Sequence, residues 1–160
     1  MSSVDIDPAE YSKVLDLLKK IDFFEGVPEP ELKTVLLSLQ KEKFAKSKTI
    51  LFQGEIANRL FIVRDGSVVI TTKNKGQKMV LAELKSPSYF GEISLLRPMS
   101  ATATATSGDE GADLIILTHD SMSRLSKKIP DIEARIQKVI ENRIANKKKL
   151  KEAEEASEQS

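Results

Sequence analysis

Apolar residues fall three and four apart over 11–21, where Tyr11, Val14, Leu15, Leu18 and Ile21 share one helical face. Asp7-Pro8 ahead of them supplies a start signal, a capping aspartate and a first-turn proline. A break at Gly26-Val27-Pro28 follows. Pro30-Glu31-Leu32 then reopens a helix in which Leu32, Val35, Leu36 and Leu39 again lie on one side. At Phe44 the period changes. From there to Thr118 the chain reads as extended runs at 49–52, 60–63, 68–72, 78–84, 102–106 and 112–117. Gly54, Asp65-Gly66, Asn74-Lys75-Gly76, Pro87 and the glycine-bounded stretch 108–111 separate them. A strand about every ten residues predicts a rolled β-sandwich. Helical spacing returns after Leu117: Thr118 or Asp120 caps a short helix through Met122 and Leu125, and Pro130-Asp131 opens a longer one. That last helix carries an apolar stripe of Ile132, Ile136, Val139, Ile140 and Ile144.

The expected fold is mainly β with flanking helices. Amino-terminal helices occupy 1–43, a β-roll 44–118, carboxy-terminal helices 119–150, and an acidic, serine-containing tail 151–160 is expected to be disordered. The isoleucine stripe either packs on the roll and the first helices or forms the seam of a homodimer. It covers under three heptads, short for a self-sufficient coiled coil.

At 160 residues the chain is long enough for one domain, and 40% hydrophobic residues suffice for a core. With no cysteine and the single histidine His119, thiolate metal sites, disulfides, cysteine nucleophiles and most triads drop out. No catalytic residue, cofactor or metal is expected. The balance of 25 basic and 24 acidic residues gives a net charge of +1 and argues against a nucleic-acid partner. The lysines at 147–151 are offset by Glu152, Glu154, Glu155 and Glu158, so a membrane surface is not expected either. With no apolar run of spanning length and no signal-like start, the expected location is the cytoplasm.

The most informative stretch is 87–106, PSYFGEISLLRPMSATATAT. Gly91 permits close backbone approach, and the short helical signal after it offers the amides of Glu92, Ile93, Ser94 and Leu95 to an anion. Together with ILFQGEIANRLFIVRDGSV at 50–68, this stretch resembles the cyclic nucleotide-binding domain family, from the FFEGV at Phe23 to about Ile132. Gly54, Gly66 and Gly91 stand at that family's spacing, and FGEISLL at 90–96 is similar to the opening of its phosphate-binding cassette. The resemblance implies a jelly-roll-like β-roll that holds cAMP or cGMP, with helices that shift when the ligand arrives. It also implies that Glu92 accepts from the ribose 2′-hydroxyl; the plainer role is a first-turn acid facing the helix dipole.

One position departs from the family. Ten residues after Gly91, where the resemblance implies an arginine for the cyclic phosphate, stands Ala101, and Ala103-Thr104 keeps the loop length conventional. Thr102 can still donate one hydrogen bond. Losing a charge-assisted pair of about 2 to 4 kcal/mol weakens binding roughly 30- to 1,000-fold. Arg97, six residues after Gly91, either folds back over the anion site or is a solvated turn residue before Pro98. Arg59 and Arg64 read as exposed loop charges. Two functions follow: a degenerate domain that has become a protein-interaction or scaffold module, and a cAMP or cGMP sensor that switches a separate effector protein through its last helix. Either needs a protein partner, because no DNA-binding, channel, kinase or cyclase segment is recognisable. Ala101 favours the first.

Overall fold

The computed structural model describes residues 3–143 and 145. Ile144 and the tail 151–160 lie outside them. Strand β1 (Val4–Asp5) leads through a 3-10 turn to helix α1 (Tyr11–Lys19), then to a second 3-10 turn (Asp22–Phe24) and helix α2 (Glu29–Leu37). The Asp7 carboxylate accepts from the Ala9 amide, so the start signal works as its chemistry suggests. Val14, Leu15, Leu18 and Ile21 of the first stripe are buried, as are Leu32, Val35, Leu36 and Leu39 of the second.

The β-roll follows as β2 (Gln40–Phe44), β3 (Thr49–Leu51), β4 (Ile56–Ala57), β5 (Arg59–Asn74), β6 (Gln77–Leu84), β7 (Tyr89–Phe90), β8 (Met99–Ser100) and β9 (Thr104–Thr118), with α3 (Glu92–Leu96) between β7 and β8. All pairings are antiparallel among the described residues. The main sheet runs β1-β2-β9-β5-β6, and β3 and β7 pair with β9 and β5 off that path. The β region thus begins at Gln40, before Phe44, because β2 pairs residue for residue with 112–116 of β9.

Two expected turns are not turns. Runs 60–63 and 68–72 join into β5, and 102–106 and 112–117 join into β9, which starts only at Thr104. Asp65-Gly66 is a bulged bend inside β5. Gly66 has φ +75°, and a Cβ there would stand 2.2 Å from the Gly111 carbonyl oxygen, so the strands coil together only with glycine at that contact.

Alternation along β5 and β9 builds two cores. Leu60, Ile62, Ile115 and Leu117 face the helices, whereas Phe61, Val63, Leu114 and Ile116 face the interior of the roll. Thr118 caps α4 (His119–Lys128) by accepting from the Ser121 amide at 3.1 Å. The last helix, α5, spans 132–143. Its Ile132, Ile136 and Ile140 are buried among α1, α2 and the second 3-10 turn, and Val139 packs partly against the same core. Three of the five stripe residues are therefore covered within the protomer, which is the packing alternative for them; Ile144 lies outside the described residues.

Candidate functional site

The site is assembled where β7 stops and α3 begins. Gly91 has φ +86°, and a Cβ on it would lie 2.4 Å from the Arg59 carbonyl oxygen of β5. Glycine is therefore required twice, for the left-handed turn and for the approach to the neighbouring strand. The turn releases α3, whose first-turn amides at Glu92, Ile93 and Ser94 have no acceptor within the helix. His119 fixes the other end of α3, its Nδ1–H donating to the Leu95 carbonyl at 2.6 Å.

Opposite α3, the chain between β8 and β9 is pinned by its backbone. The Gly54 amide donates to the Ala101 carbonyl and the Ala101 amide to the Glu55 carbonyl, both at 2.8 Å. Gln53 strengthens the clamp, its amide donating to Thr104 Oγ1 at 2.9 Å while its side-chain oxygen accepts from the Lys73 amide.

Between these walls lies a cavity of about 210 Å³. Gly91, Glu92, Ser94, Ala101 and Thr102 converge on it, with Leu51, Ile70 and Phe90 as the apolar floor. Leu95 does not line it; its side chain is fully buried in the helical core. For Ile93 only the backbone is described. Arg97 is exposed and does not line the cavity, so it has not folded back over the anion site. Arg59 lies over the Phe61 ring at 4.9 Å, and Arg64 pairs with Glu10 at 2.7 Å. Among the described lining residues Glu92 alone is charged, so the cavity presents a carboxylate and no cation.

One group escapes sequence reasoning. Arg143 of α5 lies over the Tyr89 ring at 4.3 Å, with its guanidinium 3.5 Å from Asp22 Oδ2 and 3.8 Å from Glu92 Oε1. Tyr89 in turn donates its hydroxyl to Asp22 Oδ1 at 2.6 Å. Burial, then that bond to a carboxylate, hold the phenol proton well above its ordinary range. The carboxylate of the pocket is thus tied to the last helix, and no periodicity in the chain relates positions 22, 89, 92 and 143. Among the described residues no group of acidic, histidine or cysteine side chains could hold a metal ion, and no helix is long and apolar enough to cross a membrane.

The family described as "Cyclic nucleotide-binding domain" matches residues 41–128. A cGMP-dependent protein kinase of Eimeria tenella is 31% identical over 124 residues, 77% of this chain and 12% of the kinase. The crystal structure of the Thermus thermophilus catabolite activator protein superposes with a TM-score of 0.73 at 26% identity, covering 80% of this chain and 60% of that one. The regulatory domain of Toxoplasma gondii PKA, solved with cAMP, superposes with a TM-score of 0.72 at 22% identity over 84% of this chain and 51% of the other, a likeness of fold. In each case this chain spans less than two thirds of the other protein.

Proposed function

The chain belongs to the cyclic nucleotide-binding domain family, a family of regulatory domains, and from that premise we propose that its pocket has lost most of its affinity for cyclic nucleotides and that the domain acts on a protein partner. The observation that carries this reading is the charge of the cavity lining: a carboxylate, no cation, and Ala101 where the family resemblance implies an arginine for the phosphate. A cyclic phosphate brought there finds no cation in the cavity lining; Arg143, 3.8 Å from Glu92 Oε1, offsets part of that carboxylate's charge from outside the lining, and the pocket walls screen the remaining repulsion less than water does. The intact glycine turn does not argue the other way, because the fold itself requires Gly91. No catalytic role is assigned to the chain.

A second reading, a cAMP or cGMP sensor that switches a separate effector through α5, draws support from the contact of Arg143 with Glu92, since a ribose at Glu92 would compete with that contact.

Calorimetric titration with cAMP and cGMP to millimolar concentration, beside Ala101→Arg, separates the two. The expected result is silence in the unmodified protein and binding in the variant. Saturable heat from the unmodified protein would overturn the loss of affinity and establish the sensor.

A further inference from the structure

β6 ends the main sheet, and among the described residues it pairs as a strand with β5 alone. Three consecutive apolar side chains on it are open to solvent, Met79 at 55%, Val80 at 68% and Leu81 at 54%. Edge strands are ordinarily blunted by lysine, proline or a bulge, since their free amides and carbonyls invite a further strand. This edge carries a lysine and a bulge, but arranged so that they favour one occupant.

The bulge sets the faces. Thr71 is opposite Val80 and Ile70 is opposite Ala82, which leaves Leu81 as the inserted residue. Lys73, Thr71 and Val69 alternate regularly on β5 and therefore share a face. Their partners Lys78, Val80 and Glu83 share it too. In a regular strand Lys78 and Glu83, five residues apart, would point to opposite faces. With the bulge at Val80-Leu81 they stand on one face, Lys78 two residues before Val80 and Glu83 two residues after Leu81.

A strand with that pattern is complementary to itself. Turned by a two-fold axis through the bulge and laid antiparallel along its own edge, it brings Lys78 opposite Glu83 of the second copy and Glu83 opposite Lys78 of the second copy. Val80 meets Leu81 of the second copy across the axis, and Met79 meets Ala82. The pairing also relieves a local conflict: Lys73 and Lys78 lie directly opposite within one chain, a like-charge pair that destabilises a sheet. The arriving Glu83 carboxylate would sit beside Lys78 and draw its ammonium away from Lys73.

We propose that β6 is a homodimerisation edge, through which two copies form one continuous antiparallel sheet. This interface is independent of whether a nucleotide occupies the pocket. Two strands bury less than the roughly 1,200 Å² of a stable interface, so the dimer is weak, with dissociation at about ten to a few hundred micromolar.

Sedimentation equilibrium of the full chain from about 5 to 500 micromolar reads that range. Lys78→Glu and Glu83→Lys each place like charges across the axis twice per dimer and are expected to weaken association about tenfold or more. The double reversal Lys78→Glu with Glu83→Lys is expected to restore it. Both side chains are exposed, and circular dichroism establishes that each variant is folded. A wild type that stays monomeric throughout, or a dimer of equal affinity in all four proteins, would overturn the proposal.

Discussion

Arg143 and Glu92 meet across the boundary between the last helix and the pocket, with Nη1 3.8 Å from Oε1. The guanidinium belongs to neither partner alone, because the same side chain stacks on Tyr89 and pairs with Asp22. One side chain of α5 is thereby in contact with the carboxylate of the pocket.

Arg143→Ala is expected to loosen the end of α5 without unfolding the roll. The arginine side chain is 44% exposed, so each ion pair contributes about 0–1 kcal/mol, and stacking on the ring adds about 0.5–1. Together these amount to about 1 kcal/mol of local stability, which hydrogen exchange reports as about fivefold faster opening over 132–143. Arg143→Lys keeps the charge, loses the planar stack and is expected to fall between. Unchanged exchange in both variants would mean that the isoleucines hold the helix alone.

Glu10 makes a second clamp, joining the 3-10 turn before α1 to β2 through Lys41 and to β5 through Arg64. Hydrogen bonds from Lys41 and then Arg64 hold its carboxyl at about 2, against 4.5 ordinarily. The folded value is the lower one. Its contribution is therefore whole above pH 4.5 and is lost as pH falls through about 2. Glu10→Gln is expected to be less stable than wild type at neutral pH, with the gap in urea midpoints closing across that acid window. A gap of constant size would place the effect in packing.

The elements that were legible in the chain are those whose pattern has one structural meaning. Val14, Leu15 and Leu18 could only make a helix face, and the glycines with FGEISLL announced the roll and its turn. Elsewhere one pattern serves two structures. A glycine with positive φ fits a turn and a bulge equally, so Gly66 and Gly111 read as strand ends although they sit within continuous strands. The stripe at Ile132, Ile136 and Ile140 would look the same facing a twin or the protomer's own core, and only the volume between α1, α2 and the roll decides it. At the pocket, Gly91, Glu92, Ser94, Ala101 and Thr102, which the family resemblance singles out, line one cavity. Arg143 was not, because long-range ion pairs leave no trace in local periodicity.

Whether Gly91 is kept for a ligand or for the fold can be separated by comparing it with Gly76. Both are left-handed, at φ +86° and +79°, so alanine at either pays about the same backbone strain, of order 1 kcal/mol. Gly76 has nothing within 4 Å of where a Cβ would stand, whereas at Gly91 that atom would lie 2.4 Å from the Arg59 carbonyl oxygen and force β5 and the turn apart. In nucleotide-free protein, Gly76→Ala is therefore expected to lower the urea midpoint slightly. Gly91→Ala should cost more, by about 1–3 kcal/mol beyond that. The measurement is the pair of denaturation curves, with equal slopes establishing that both variants unfold from the same compact state. If the two substitutions cost the same, the approach to β5 has room to relax. Gly91 would then regain its weight as a sign that something is meant to lie against the turn.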